Sequence, residues 1–190
     1  MKRLAELNEG DFLVYTDVGC VFNPDGLPRL KEYESMLDSN DFGLISFQLP
    51  EKLMEYKFTK RSLFEFMKST DQDKNTQQFM ATVVIMKKTP RLENFIKHWY
   101  LYACSNNYIY LTDARNPLLK EHPEFMDHRH DQSIYSLMVK KVLNSNIDEK
   151  HKPIVLKDET WFDPNWEVDC KKYPIWGRRF RNPIPDYIDS

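Results

Sequence analysis

Apolar and polar positions follow one another in blocks that predict strands and helices by turns. Strands are predicted where apolar, β-branched and aromatic residues run together, in FLVYT, FGLISFQL, QQFMATVVIMKK and the shorter KPIVLK. The third run is apolar almost throughout, which is typical of a central strand covered on both faces. Helical spacing of apolar residues predicts helices in KRLAEL, LPRLKEYESMLDS, TKRSLFEFMKS, TPRLENFIKHWYLYACS and HDQSIYSLMVKKVL. Strands that alternate with helices indicate an α/β fold.

The same pattern predicts helix starts, apolar faces and a division of the chain. Thr89 and Pro90 are predicted as the N-cap and the first residue of one helix. Residues 1–157 are predicted to form the core, and residues 158–190 an irregular, aromatic, Pro- and Trp-rich tail that packs on it. The apolar positions with helical spacing are Leu27, Leu30, Tyr33 or Glu34, Leu37, Leu63, Phe64, Met67, Ile134, Leu137, Met138 and Leu143.

Composition narrows the class of protein. With 190 residues, 41% of them hydrophobic and 29% charged, the chain matches one globular domain, or one domain with a long tail. A formal net charge of −2 gives no basis for generic binding to nucleic acid or to anionic membranes. No apolar run approaches the ~20 residues of a membrane span, and the first residues lack the apolar core of a signal peptide. Three widely spaced cysteines give neither a zinc pattern nor a complete disulfide framework, so a cytoplasmic location is expected.

The stretch LVYTDVGCVF places a single acid, Asp17, directly after an apolar run. A carboxylate at the end of a buried strand is costly unless it is paired, hydrogen-bonded or holding a cation. The same strand end is where open α/β sheets bind their ligands. Two interpretations stay open: Asp17 caps a turn through nearby backbone N–H groups, or it holds a divalent cation or a ligand hydroxyl.

The stretch DHRHDQS, residues 127–133, gathers two imidazoles, a guanidinium and carboxylates just before an amphipathic helix. In one interpretation Asp131 is only an N-cap and its neighbours form a solvated loop. In the other, the free N–H groups of the helix N-terminus and these side chains bind an anionic ligand. The i, i+2 spacing of His128 and His130 excludes the metalloprotease pattern, in which both histidines share one helix face.

The stretch YPIWGRRFR, residues 173–181, interleaves arginines with aromatic residues. Such a segment either binds a diphosphate or nucleic acid, or packs its aromatic side chains on the core and leaves its arginines in water. The net charge counts against nucleic acid. The sequence contains neither the GxGxxG nor the Walker pattern of nucleotide-binding loops.

Taken in order, the stretches YTDVGC, FTKRSLFEFM, QQFMATVVIMKKTP, HRHDQSIYSLM and YPIWGRRFR resemble the GT-A-fold glycosyltransferases, which transfer a sugar from a nucleotide-diphosphosugar. The resemblance covers nearly the whole chain and is strongest to small bacterial and viral-type members with an LDAGC-like strand end and an HRHDQS-like helix start. It implies a GT-A-like, Rossmann-like mixed sheet with flanking helices. It also implies a nucleotide-sugar donor and a glycan acceptor as partners.

The resemblance implies a metal and a donor site around the first motif. Asp17 matches the first acid of the family's DxD motif, which binds Mn²⁺ or Mg²⁺ and the donor's diphosphate, and Gly19 stands in place of the second acid. His130 is expected to support the acid beside it or to help hold the metal. Arg178 and Arg179 are expected to reach the diphosphate from the tail.

The resemblance implies the catalytic pair in the second motif. Asp131 and Gln132 match an Asp-Gln pair that lies by the donor sugar and the reaction centre in related enzymes. For the two motifs to work together, Asp17 and Asp131 have to converge at the carboxyl edge of one sheet. The remaining donor- or substrate-binding positions that the resemblance implies are Lys60 on the acceptor side, Gln78 and Ala81 before the strand behind the sugar, and His128 and Arg129 in the second motif.

Family members carry further residues before this strand, and those residues grip the base and the ribose. The chain is therefore expected to lack an N-terminal nucleotide-binding part, or to obtain it from a partner chain. Two other functions stay open. One is a metal-dependent hydrolase of phosphate esters that places Asp17, His128, His130 and Asp131 around one ion. The other is a non-catalytic remnant whose aromatic tail binds sugar or a partner protein.

Overall fold

A four-stranded mixed sheet with helices on both faces forms the centre of the computed structural model, which describes residues 2–160 and 172–177. The strands are β1 (Phe12–Thr16), β2 (Val21–Phe22), β3 (Leu44–Gln48), β4 (Val83–Lys87), β5 (Ile154–Lys157) and β6 (Ile175–Trp176). The helices are α1 (Lys2–Glu6), α2 (Leu27–Asp38), α3 (Glu55–Phe58), α4 (Arg61–Phe66), α5 (Asp71–Lys74), α6 (Pro90–Tyr108) and α7 (His130–Leu143). Short 3₁₀ turns cover Pro24–Gly26, Ile109–Leu111 and Glu149–His151. The prediction of a mixed sheet with flanking helices is confirmed.

The strand order β1-β4-β3-β5 brings the ends of distant segments to one edge of the sheet. Strand β4 runs antiparallel to both of its neighbours, with Ile85 opposite Val14 on one side and Ile45 on the other. Strand β3 is parallel to β5. The carboxyl ends of β1, β3 and β5 therefore lie at the same edge as the start of β4, which is the edge where open α/β sheets bind ligands.

Strand β4 is buried on both faces, as its apolar sequence predicts. Val84 and Met86 belong to a core cluster with residues of α4, α6 and α7. Val83 and Ile85, whose side chains alternate with these, belong to a second cluster with residues of α2 and β3. The predicted apolar positions Leu63, Phe64, Met67, Ile134, Leu137 and Met138 are buried, and Leu143 packs partly buried against the first cluster.

Helix α2 follows its predicted spacing except at its first residue. Tyr33 and Leu37 are buried, and Leu30 is partly buried against the same cluster. Leu27 shares the spacing but is 52% exposed, because it is the first residue of the helix and follows the 3₁₀ turn rather than facing the sheet. Helical periodicity therefore identifies the buried face of α2 but does not mark where that face stops.

Helix α6 begins as predicted and ends in an unexpected loop. Thr89 Oγ1 accepts the N–H of Leu92 at 3.1 Å, and Pro90 is the first helical residue. Near the other end, Asn106 and Asn107 adopt left-handed conformations with φ of 49° and 56°, which asparagine tolerates better than most residues. This break turns the chain into the loop that leads toward α7.

The described part of the C-terminal segment returns to the start of the chain. Strand β6 pairs antiparallel with β2, and Asn23 Nδ2 donates to Tyr173 O at 3.0 Å. A Cβ on Gly26 would stand 2.4 Å from backbone atoms of Pro174, so this close approach requires glycine. The prediction of an irregular tail is wrong for these residues, because strand β6 depends on a distant partner that no local pattern reveals.

Candidate functional site

Asp17 follows the carboxyl end of β1, at the sheet edge shared with the start of β4. Its backbone N–H donates to Thr82 O at 2.9 Å, and its carbonyl accepts the N–H of Cys20 at 3.0 Å. Gly19, in the same turn, is exposed. These bonds hold the turn that carries Asp17 against the residues just before β4.

The first turn of α7 reaches the same edge. Gln132 Oε1 accepts the backbone N–H of Ala81 at 3.4 Å, and Ala81 adjoins Thr82, to which Asp17 is bonded. Asp131 precedes Gln132 and lies close enough to Asp17 for the two charges to interact. The turn that carries Asp17 and the first turn of α7 therefore meet at this edge of the sheet.

Asp131 belongs to the first turn of α7 but is not its N-cap, a position that Arg129 occupies. The residue is exposed, yet the surrounding protein reduces the hydration of its carboxyl group, and Asp17 adds a like charge beside it. Both effects raise the pKa of Asp131 above that of an ordinary aspartate. A carboxyl group of this kind exchanges its proton closer to neutral pH, which suits acid–base chemistry.

Tyr15, a residue of β1, lies beside the two acids. Its side chain is exposed, and its hydroxyl donates to Asp17 Oδ1 at 3.1 Å. Partial burial raises the pKa of the phenol, and the charges of Asp17 and Asp131 raise it further, so the hydroxyl keeps its proton. Sequence reasoning missed Tyr15. The available signal was its position two residues before Asp17, which places both side chains on one face of an extended chain.

Gln132 is held by a chain of buried polar groups. Its Nε2 donates to Gln78 Oε1 at 3.0 Å, and Gln78 Nε2 donates in turn to Glu55 Oε1 at 2.9 Å. Gln78 is fully buried and lies within hydrogen-bond distance of the hydroxyls of Thr59 and Ser133. The structure thus brings Gln78 and Gln132 into direct contact, and it adds Glu55 behind them.

Glu55 and Lys140 form the inner end of this chain of groups. Their side chains pair at 2.8 Å, and Glu55 Oε2 also accepts the hydroxyl of Ser136 at 2.5 Å. Both charged residues are buried, and burial lowers the pKa of Lys140 in spite of the neighbouring carboxylate. Sequence reasoning missed the pair. The available signal was the helical spacing of Ser133, Ser136 and Lys140, which places polar residues on the inward face of α7.

Lys60 is turned away from the sheet edge. Its ammonium donates to the backbone carbonyls of Ile109, Thr112 and Ala114 at 2.6, 2.8 and 3.0 Å. Three bonds use the whole donor capacity of an ammonium, and the residue has no exposed surface. Lys60 therefore fastens the loop after α6, and the structure gives no support to its expected role toward an acceptor.

His128 and Arg129 also point into the protein. His128 Nε2 donates to Tyr110 O at 2.8 Å, because a carbonyl can only accept, and its Nδ1 accepts the backbone N–H of Lys60 at 3.4 Å. The guanidinium of Arg129 lies over the Phe58 ring, 3.9 Å from its centre. Both residues pack in the segment that leads into α7, where His128 uses both ring nitrogens on backbone groups and the half-buried Arg129 stacks on an aromatic ring.

His130 is paired within the chain. Its Nε2 lies 3.1 Å from Asp113 Oδ1, and its ring packs edge-on against that of His128. Its φ of 45° is left-handed, an uncommon conformation that histidine adopts more readily than most residues. Such strained residues cluster at functional sites, and this one turns the chain directly into Asp131.

We expect the free energy of unfolding to fall as the pH drops from about 6.5 toward 4, because of His128. Burial lowers the pKa of His128 to about 4 in the folded protein, against 6.5 for an ordinary histidine. Between these two pH values His128 is protonated in the unfolded chain and neutral in the folded chain. Acid therefore favours unfolding, by on the order of 3 kcal/mol at most.

Urea denaturation at pH 7 and pH 4.5 measures this effect. The variant His128→Gln should lose part of the pH dependence, whereas His98→Gln, at an exposed histidine of α6, should keep it. Equal pH dependence in the two variants would contradict the assignment to His128.

Arg178 and Arg179 lie outside the described residues. Gly177, which precedes them, donates its N–H to Thr160 O at 2.8 Å, and a Cβ added there would stand 3.7 Å from the Thr82 methyl. The described end of the tail therefore reaches the sheet edge that carries Asp17.

The described residues do not form a metal centre by themselves. Within residues 2–160 and 172–177, no three His, Cys, Asp or Glu side chains are grouped to hold an ion. Asp17 and Asp131 offer carboxylates at the edge, while His130 is engaged with Asp113. Mg²⁺ is commonly held by one or two carboxylates together with substrate phosphates. The donor set therefore fits an ion that arrives with a phosphorylated ligand.

Two surface hollows beside α6 are lined by other residues. One lies between α1 and α6 and includes Leu4 and Lys97, and the other includes Phe42, Phe95 and Lys141. Neither contains a residue that the sequence predicts to be catalytic, donor-binding or metal-binding, so the sheet edge is the candidate site. Among the described residues, no helix is long and apolar enough to cross a membrane. Comparison with family models, curated proteins and solved structures finds no match to the chain.

Proposed function

We propose that this chain is a glycosyltransferase with a GT-A-like fold, which moves a sugar from a nucleotide-diphosphosugar to a hydroxyl on a glycan or a similar acceptor. The observation that carries the proposal is the meeting of Asp17, Asp131 and Gln132 at the ligand-binding edge of the sheet. These residues come from distant segments. Two like charges placed close together oppose folding. The packing of the core therefore does not account for the placement of the two carboxylates at this edge.

In the proposed reaction, the acceptor hydroxyl oxygen forms a bond to the anomeric carbon, and the bond between that carbon and the diphosphate oxygen breaks. The nucleoside diphosphate leaves with the electron pair, and the hydroxyl proton passes to the Asp131 carboxylate. Its raised pKa suits a general base. If the configuration at the anomeric carbon is retained, the same carboxylate faces the oxocarbenium-like centre. Gln132 binds the donor sugar beside it.

Negative charge develops on the departing diphosphate and has to be stabilised by a cation. We propose that Asp17 would hold Mn²⁺ or Mg²⁺ there when the donor is bound, and that the ion would supply Lewis-acid stabilisation of the leaving group. Arg178 and Arg179 are proposed to contact the same phosphates from the tail. A nucleotide-binding part outside the described residues, or on a partner chain, is proposed to grip the base.

The geometry gives less support to the other functions. A hydrolase with one ion bound by Asp17, His128, His130 and Asp131 needs free imidazole nitrogens, yet His128 uses both of its ring nitrogens on backbone groups, and His130 is paired with Asp113. A non-catalytic sugar-binding module would use the same sheet edge without turnover. Transfer activity separates it from the proposed enzyme.

Thermal unfolding with UDP-, GDP- and dTDP-sugars, each with and without Mn²⁺, tests the proposed function. Ligand at about 100 times its dissociation constant adds about 2.7 kcal/mol to the stability of the folded state, which raises the Tm by several degrees in a domain of this size. We expect one nucleotide to produce a shift that depends on Mn²⁺ and therefore identifies the base.

The matched control is a second aspartate far from the site. Asp17→Ala should abolish the shift, whereas Asp38→Ala, which removes an exposed carboxylate at the end of α2 that pairs with Lys87, should preserve it. A shift that survives Asp17→Ala would place the donor elsewhere. No shift with any nucleotide would count against a donor site in this chain alone.

A further inference from the structure

A single buried carboxylate organises the polar groups behind the sheet edge. Glu55 Oε1 accepts from the Thr59 hydroxyl at 2.6 Å and from Gln78 Nε2 at 2.9 Å. Glu55 Oε2 accepts from the Ser136 hydroxyl at 2.5 Å and from the Lys140 ammonium at 2.8 Å. An ionised carboxylate offers about four acceptor positions, so these donors fill the whole capacity of a side chain that has no exposed surface.

The other neighbours of the Gln78 amide nitrogen are acceptors as well. The Thr59 hydroxyl gives its proton to Glu55, so its oxygen accepts from Gln78 Nε2 at 3.1 Å. The Ser133 hydroxyl gives its proton to Phe58 O at 2.8 Å, so its oxygen also accepts from Gln78 Nε2, at 3.3 Å. If the Gln78 amide were turned round, its carbonyl oxygen would face these oxygens and leave buried groups without partners, which is costly.

The orientation of Gln78 determines that of Gln132. Because its NH₂ group is held among acceptors, Gln78 presents its carbonyl oxygen to Gln132, whose Nε2 donates to it at 3.0 Å. At the other end of the same amide, Gln132 Oε1 accepts the backbone N–H of Ala81 at 3.4 Å. The two contacts use opposite ends of the Gln132 amide and require the same orientation of it.

One N–H of Gln132 is left for a ligand. A primary amide carries two N–H groups, and the contact with Gln78 uses one of them. Among the described residues, Gln132 Nε2 has no second hydrogen-bond partner. The side chain is half-buried in the first turn of α7, directly after Asp131. An oriented amide with an unused donor therefore lies beside the acid that is proposed to act as the base.

We infer that Gln78 is a positioning residue, which holds the Gln132 amide in one orientation so that its second N–H donates to an oxygen of the bound nucleotide-sugar. The inference deepens the proposed function and rests on it for the identity of the ligand. Gln78 has no exposed surface, so it acts on the ligand only through Gln132. An amide that is oriented in advance loses less conformational freedom when the ligand binds, which favours binding.

The variant Gln132→Glu tests the orientation of Gln78 without any ligand. If Gln78 presents its carbonyl oxygen, the introduced carboxyl group needs its proton to bond that oxygen, so its pKa is raised. The reference is the same substitution combined with Gln78→Met, which removes the carbonyl oxygen and keeps the neighbouring acids Asp17 and Asp131. NMR titration of the introduced carboxyl carbon should give a pKa higher by about one pH unit in the single variant, a tenfold change in the ionisation constant. An equal or lower pKa in the single variant overturns the inference, because no carbonyl oxygen of Gln78 would then face position 132.

The motion of the Gln132 side chain is the second readout, and it begins with the unaltered chain. Nitrogen-15 relaxation of the side-chain amide should give an order parameter near the ~0.85 of rigid groups, falling below about 0.6 in Gln78→Met. The matched control is Ser46→Ala, which removes another buried hydrogen bond, 2.6 Å long, to the Tyr135 hydroxyl and should leave Gln132 ordered. A mobile Gln132 amide in the unaltered chain overturns the inference even if Gln78→Met does not fold, and so does an ordered amide in Gln78→Met.

Ligand binding shows whether Gln78 acts through Gln132. Calorimetry uses UDP-glucose, GDP-mannose and dTDP-glucose, each with Mn²⁺. We expect Gln78→Met and Gln132→Met each to weaken binding by about three- to tenfold, the effect of one hydrogen bond. The combined variant should bind no more weakly than Gln132→Met alone, because residues that act as a unit are not additive. Ser46→Ala should bind as the unaltered chain does. Fully additive losses would overturn the inference, since Gln78 would then act independently of Gln132.

The NMR experiments and the binding experiment separate this inference from the proposed function. An ordered Gln132 amide with the expected pKa difference, but no binding of any of the three nucleotide-sugars, supports the positioning role of Gln78 and counts against a donor site. Binding of a nucleotide-sugar together with a mobile amide, or with a pKa difference of the opposite sign, overturns the inference and leaves the transferase proposal standing.

Discussion

Glu55→Ala is expected to lower the free energy of unfolding by about 3–5 kcal/mol, since removal of one partner of a buried ion pair leaves an uncompensated charge. Lys140 would remain in the core with its ammonium facing the space that the carboxylate held, 2.8 Å away in the native chain. The loss extends further, because Gln78 and Ser136 would lose their shared acceptor. Urea denaturation monitored by circular dichroism measures the change.

The control for this prediction replaces both charges. In Glu55→Gln combined with Lys140→Met, no buried charge is left unpaired, and the amide introduced at position 55 can still accept from its neighbours. We expect the double variant to be more stable than Glu55→Ala by about 2 kcal/mol or more, because pairs of this kind contribute little net stability over neutral groups. If the single and double replacements destabilise equally, the cost comes from packing rather than from the charge.

Asp131→Asn is expected to reduce the rate of sugar transfer by about 10²–10⁴-fold, the usual contribution of a positioned acid or base. The amide keeps the size of the side chain and its place in the first turn of α7, but it cannot take the acceptor's proton. The rate is measured as kcat with the donor that the thermal-unfolding screen identifies. The variant Asp38→Asn should retain the activity of the unaltered chain.

The pH dependence of transfer gives a second view of Asp131. A base works in its ionised form, so the rate should rise with pH through the pKa of Asp131, which lies above the ordinary value. The acid limb of the pH–rate profile should therefore be displaced upward from about 3.9, and Asp131→Asn should abolish that limb. A variant that retains both the rate and the limb would remove Asp131 from the proposed chemistry.

Much of the fold follows from the order of apolar residues. Strand β4 is central because its run is apolar on both faces, and α6 begins at Pro90 because Thr89 can cap it. Helix α3 was not predicted, since four residues give too short a pattern. Strand β6 was not predicted either, because two residues become a strand only where another segment offers a partner. Periodicity reports local burial and is silent on such long-range pairing.

Some of the site residues expected from the sequence lie at the sheet edge and others do not, because the sequence does not fix the direction of every side chain. Asp17 and Gln132 stand where a strand ends and a helix begins, and the topology brings these ends together. Lys60 and His128 lie in loops, where sequence spacing does not fix the direction of a side chain, and both turned inward. Glu55 escaped notice because the sequence around it resembles any exposed helical turn. Only the inward spacing of Lys140 indicated that a buried acid was needed.

The pairing of β2 with β6 determines how late in the synthesis of the chain this part of the fold can form. The turn that carries Asp17 leaves the ribosome early, whereas its neighbour, the segment 172–177, emerges some 150 residues later. Closing so long a loop costs entropy before any contact offsets it, and the tight approach of Pro174 to Gly26 can form only at the end. The turn that carries Asp17 is therefore synthesised early, whereas the pairing of β2 with β6 beside it is among the last contacts to form. A nascent chain completes the candidate site only after translation has passed residue 177.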